Sequence, residues 1–285
     1  MPGNLAPLSL VLLPLVLAAC NRRPPADPAF AAEWKAWHDR REERLRTPTG
    51  WLALTGLHWL ERGENRLPGL PGTFTLEGGK VTLAAARSDG YALGGAPLER
   101  RALAPDSAGE PDRVQLGASV TLAVIERSGR FAVRVWDAAA PARTGFRGVD
   151  AYPADPRWRI EARWEAYPAP REVEVPSVIG VATRELAPGR AHFTVEGREV
   201  ALEPTAEEDG GLFFVFKDAT ARDATYGAGR FLSAAAPRDG KVVLDFNRAV
   251  NPPCAFSAFA TCPLPTPENV LPIRIEAGEK RYGAH

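Results

Sequence analysis

The chain has 285 residues, with 35 Lys plus Arg balancing 35 Asp plus Glu, so its formal net charge is zero. There is no basic excess to neutralise phosphates, which argues against nucleic acid as a partner. An apolar content of 45% is ordinary for a globular protein with a proper core, and the length allows one large or two small domains.

Leu5 to Leu17 is an almost unbroken apolar run ending in Leu17-Ala18-Ala19-Cys20. Small residues followed by a cysteine are the pattern of a bacterial lipoprotein signal. The expectation is a signal peptide over 1–19, with Cys20 lipidated by acyl chains such as palmitate and a Pro-rich tether over 20–28. No Lys or Arg precedes Arg22, so the usual basic start is missing. The alternative is a plain apolar tail, or an anchor short of the roughly 20 apolar residues that span a bilayer. Asn21 in place of Asp favours the outer membrane, facing the periplasm.

Asp27-Pro28 reads as an N-cap and first helical residue, and Thr47-Pro48 as a stop, which predicts an amphipathic helix over about 28–46. Phe30, Trp34, Trp37, Arg41 and Leu45 share one face, and His38, among charges, is expected in solvent. Short strands with Gly, Asp and Pro punctuation follow, including hairpins at 73–76/81–84 and 119–126/130–136. A boundary falls near 138–143. From Arg157 to Ala166, Trp158, Ile160, Ala162 and Trp164 alternate with Arg159, Glu161, Arg163 and Glu165, one face for a core and one for water. Further strands are expected at 191–195, 199–202, 212–216, 230–234, 241–246 and 273–277. The fold class is mainly β: two β-rich units, each a sandwich or small barrel (29–137 with the helix, and 144–285), preceded by one amphipathic helix.

No nucleophile elbow, zinc-protease, phosphate-loop or dinucleotide motif is present, so no cofactor is expected, and the four scattered histidines predict no metal site. Cys254 and Cys262 make an even pair in an exported chain and are a disulfide candidate that would contribute ~2–3 kcal/mol. A reactive thiol at Cys254 is the other reading. Five prolines and both cysteines fall within 252–269, a loop rigid before anything binds. Tyr226, Arg230, Asp245, Asn247, Arg248 and Asn251 are the ligand-binding candidates if their strands pair. Two guanidiniums would take a carboxylate or phosphate, and Asp245 would serve as a base. The same residues would equally suit a network that locks the end of a β-domain.

The blocks Thr225-Tyr-Gly-Ala-Gly-Arg230, Leu244-Asp-Phe-Asn-Arg-Ala249, Asn251-Pro-Pro-Cys-Ala-Phe256, Cys262-Pro-Leu-Pro265 and Ala277-Gly-Glu-Lys280 resemble a bacterial and haloarchaeal family known only as a domain of unknown function. Gly50 to Leu60 and Arg143 to Gly148 resemble its earlier motifs, so the likeness spans roughly 34–282. It implies no established activity. Gly63 to Val120 loosely resembles forkhead-associated sandwiches at the level of fold, without recognisable phosphothreonine-reading loops. The functional expectation is an envelope protein held on the bilayer through Cys20, binding a small anionic molecule or an envelope protein. The alternatives are a hydrolase using Asp245 and Tyr226, or a structural assembly factor.

Overall fold

Asp27 opens the first helix, its Oδ1 accepting the Ala29 N–H at 2.9 Å, and the helix α1 runs Pro28–Leu45. This computed structural model describes residues 27–283. The leader (1–19), the Cys20 lipidation site and most of the 20–28 tether lie outside the described residues. No helix among the described residues is long and apolar enough to cross a membrane.

The first unit contains β1 (Leu54–Trp59), β2 (Gly63–Asn65), β3 (Thr73–Glu77), β4 (Lys80–Ala84), β5 (Tyr91–Leu93), β6 (Ala96–Pro97), β7 (Arg100–Leu103), β8 (Val114–Leu116), β9 (Val120–Arg127) and β10 (Arg130–Asp137). They form one sheet in the order β1-β10-β9-β8-β5-β6 and a second in the order β2-β3-β4-β7. Phe74, Val81 and Leu83 of the second sheet pack with Val114, Leu122, Val124 and Val133 of the first, which makes the unit a sandwich. Both expected hairpins form, at β3–β4 and β9–β10.

A short helix, α2 (Pro141–Thr144), occupies the expected boundary. The second unit follows with β11 (Arg159–Val175), β12 (Thr183–Val195), β13 (Arg198–Leu202), β14 (Thr205–Ala206), β15 (Leu212–Phe216), β16 (Arg230–Ala234) and β17 (Lys241–Asp245). Its sheets run β13-β12-β11-β17 and β14-β15-β16. Their inner faces meet at Ala162, Ala191, Phe193, Phe214, Phe216, Leu244 and Phe246. The charged face of β11 is laced by ion pairs across strands, among them Lys241–Glu161 at 2.6 Å. This is how a solvated sheet face manages its charges.

Three expectations change. His38 is not in solvent: it stacks on Trp34 with ring centroids 4.8 Å apart, and only 14% of its side chain is exposed. Ile273, Ile275 and Ala277 are buried, yet residues 273–277 form no strand. Arg230 donates to the Ile275 and Ala277 carbonyls, and Asp218 accepts the Ile275 N–H at 2.8 Å. Side chains thus occupy the backbone groups that a neighbouring strand would have paired. Finally, α1 makes its long-range hydrogen bonds to the second unit: Trp34 Nε1 donates to the Asn247 carbonyl (2.8 Å) and Arg41 Nε to Glu279 (3.1 Å).

Candidate functional site

The six residues singled out from the sequence fall into separate contact sets. Arg230 is 1% exposed and pairs with Asp218 at 3.1 Å, burial pulling its pKa down and Asp218 opposing that. Thr220 and Thr225 complete this buried set through hydroxyl contacts of 2.8 Å. Asp245 accepts from Arg159 (2.9 Å) and from the Asn247 side chain (2.9 Å), and lies 3.4 Å from Arg248. Arg248 and Arg159 both reach Glu33 of α1. Asn251 donates through Nδ2 to the Lys280 carbonyl and through its backbone N–H to Glu279, whose other carboxylate oxygen accepts from Arg41. Tyr226 donates to the Cys254 carbonyl at 3.1 Å.

Among the described residues no hydrogen bond joins Asp245 to Tyr226, and none of the six lines either of the two cavities below. The motif block therefore acts as clamps: it closes one end of the second unit and fastens α1 to it. Small residues serve the same purpose. A Cβ at Gly278 (φ +75°) would meet the Ala249 carbonyl at 2.5 Å, and one at Gly229 (φ +107°) the Phe216 carbonyl at 2.6 Å. The chain passes too close there for any side chain.

The open space lies elsewhere. A cleft of about 390 Å³ runs between the long β11–β12 arm, β14–β15 and the proline-rich loop. Val173, Val175, Phe213, Val215, Pro263 and Leu264 form its apolar walls. At one end Glu203, 7% exposed, accepts from Tyr167 and from Arg171 at 2.6 and 2.7 Å. Asn269 holds the backbone beneath it, donating to the Glu203 and Val215 carbonyls and accepting the Glu203 N–H. The Thr266 hydroxyl, also lining the cleft, is buried without a hydrogen-bond partner. Glu203 is neutralised by Arg171, whereas Glu185 and Glu207, which also line the cleft, have no ion pair among the described residues; the lining guanidinium, Arg127, is itself paired to Asp106 at 2.8 Å. A second, more polar hollow of about 440 Å³ is lined by Glu42, Arg147, Asp150, Arg281 and Tyr282.

Beside the cleft the cysteines are two free thiols, not the expected bridge. Cys262 is buried and Cys254 half-buried, and Cys262 Sγ accepts the Cys254 N–H at 3.1 Å. The Cys262 thiol donates to Cys254, drawing the Cys254 pKa down to about 7 and, with burial, pushing its own up. Among the described residues no group of three His, Cys, Asp or Glu is placed to hold a metal ion.

Sequence reasoning missed Glu203, Tyr167, Arg171 and Thr266 because β11 and β12 bring them together over gaps of tens of residues. Arg134 was also missed, although one signal was available: it interrupts the apolar run Phe131 to Trp136 and is 7% exposed.

Fold and site together define a two-unit β protein with one amphipathic cleft and a clamped C-terminal segment. Residues 144–280 match the family described as "Protein of unknown function (DUF1684)", and the chain belongs to that family. This match is narrower than the 34–282 span that the motifs imply. A solution NMR structure of an uncharacterized protein from Haloarcula marismortui is 30% identical, covering 49% of this chain and 79% of that one, with a TM-score of 0.41. No curated protein matches significantly.

Proposed function

We propose that this chain is a lipid-anchored envelope protein, tethered to the bilayer through Cys20. In this reading it binds a small amphipathic molecule in the cleft between the β11–β12 arm and the proline-rich loop. The observation that carries the binding reading is the cleft: apolar walls, a volume within the ~300–1,000 Å³ common for ligand pockets, and a buried Thr266 hydroxyl lacking a partner. Glu185 and Glu207, without ion pairs among the described residues, favour a head group that is cationic or rich in hydrogen-bond donors. An anion would meet repulsion there. The Tyr226 to Asn251 residues serve this site by holding the unit rigid around it. The anchor rests on the apolar run and the Leu-Ala-Ala-Cys junction of the sequence.

Native mass spectrometry of the full-length protein taken from membranes tests the binding reading. The expected result is a co-purified small molecule that is lost on denaturation and absent from Val215→Trp, whose indole fills the cleft. A bare wild-type chain, with the variant folded and identical to it, overturns the reading and leaves a structural role.

A further inference from the structure

Among the described residues, Arg134 is a buried arginine without an ion pair, and its charge acts on the thiol of Cys262. It sits on β10, and the two rings it contacts, Trp51 and Trp136, belong to a cluster with Ala53, Leu54, Ala123, Ala260, Cys262 and Cys254. No hydrogen bond or ion pair to its guanidinium is found among the described residues, and its Nε is buried without a partner. Its near neighbours are the Trp51 and Trp136 rings, 5.5 and 5.9 Å from Cζ. Burial lowers its pKa to about 10, so it stays charged at neutral pH. Arg113 and Arg127 oppose it, and Asp106 and Cys262 are the anionic groups that favour its charge. A desolvated, unpaired cation is costly, and that cost is relieved when an anion forms alongside.

We propose that Cys254 and Cys262 are a redox-active dithiol that exchanges with disulfides of small thiols, with Arg134 as the fixed cation that stabilises the Cys262 thiolate when it resolves the adduct. Exposure divides the roles. Cys254, half-buried, meets the incoming disulfide, and Cys262, buried behind it, resolves the adduct. The Cys254 thiolate attacks one sulfur of glutathione disulfide, whose S–S bond breaks and releases one glutathione thiolate. That thiolate takes the Cys262 proton. The Cys262 thiolate then attacks Cys254 Sγ, displacing the second glutathione, which is protonated from water. Two protein thiols are oxidised to one disulfide as one glutathione disulfide is reduced to two thiols. The charged or titratable groups facing the pair are Tyr226, which donates to the Cys254 carbonyl, and Arg134. The bond would also tie down the strand of loop that continues into Pro263, Leu264 and Thr266, one wall of the cleft.

The test uses the full-length protein in detergent, reduced, freed of reductant and titrated with glutathione disulfide. Intact mass and maleimide labelling are the readouts. The expected outcome is loss of two hydrogens together with both labels, reversed by reduced glutathione. Cys262→Ser should instead accumulate a mixed disulfide with one glutathione, and Cys254→Ser should stay unmodified. Labelling of Cys254 should rise with pH around a midpoint near 7. Arg134→Met should slow closure of the Cys262–Cys254 bond from the mixed disulfide at pH 7 by roughly tenfold, and Arg134→Lys should restore much of the rate. If Arg134→Met fails to fold, Arg134→Gln takes its place, and closure as fast as wild type in the folded variant overturns the role given to Arg134. Thiols inert to glutathione disulfide until the chain is unfolded overturn the proposal, as does a bridge that glutathione cannot reduce.

Discussion

At the scale of single residues, this protein places charged groups inside and satisfies nearly all of them locally. Arg230 and Asp218 are each about 1% exposed at the side chain, and between them they bond two carbonyls, two N–H groups, the Thr220 hydroxyl and each other. Removing one partner of such a pair leaves an uncompensated buried charge, which costs ~3–5 kcal/mol. Arg230→Met should therefore lower unfolding stability by about that amount in a urea titration, because the Ile275 and Ala277 carbonyls lose their donor and Asp218 its countercharge. A loss below about 1 kcal/mol would show that water replaces the guanidinium. Arg134 is the contrasting residue. It is also buried and has no such partner among the described residues, which is why a reactive role fits it better than a structural one.

At the scale of elements, α1 is the clearest case of sequence pattern and tertiary role diverging. Its aromatic and aliphatic stripe marks it as amphipathic, but the stripe does not say what it covers. It covers the second unit. Leu45 packs with Phe146, Val149 and Phe256, and Arg41 reaches Glu279, which is 1% exposed. Arg41→Met should destabilise the protein by about 3 kcal/mol, by leaving the Glu279 carboxylate with the Asn251 N–H as its one remaining donor among the described residues. The double variant Arg41→Met/Glu279→Gln should recover part of that loss. Equal melting temperatures for wild type and the single variant would overturn the assignment of α1 as a clamp. The alternation along β11 was readable because period 2 exposes which face is wet. The 273–277 segment was misread because its apolar pattern is that of a strand, while its hydrogen bonds go to side chains.

For the whole molecule, the two units share a seam in which Trp51, Leu54 and Trp136 of the first meet Ala260 and Cys262 of the second. The proline-rich loop thus belongs to the seam and to the cleft wall at once. If Cys20 carries acyl chains, the cleft works near a bilayer, where amphipathic ligands are concentrated. Cys20→Ser should release the protein from the membrane fraction and abolish labelling by radioactive palmitate, leaving fold and cleft unchanged. Retention of the variant in membranes, resistant to alkaline carbonate, would replace lipidation with an uncleaved apolar anchor.

Several features were legible before any coordinates: the β class, α1 from Asp27 to Leu45, the hairpins and the solvated face of β11. Each depends on short-range periodicity or on a residue's own backbone preference, which one chain segment carries by itself. Even the closing motif block announced a dense polar network. What that network encloses was decided by tertiary structure alone. Tyr226, Arg230 and Asp245 looked like one anion site because their strands are near in sequence, yet sheet order turns each toward a different partner and leaves no space among them. The cleft and the Arg134–dithiol cluster arise where residues tens to more than a hundred positions apart meet across the seam. No local signal specifies such meetings. They follow from which faces bury together, and that is settled only when both sheets and the loop between them close on one another.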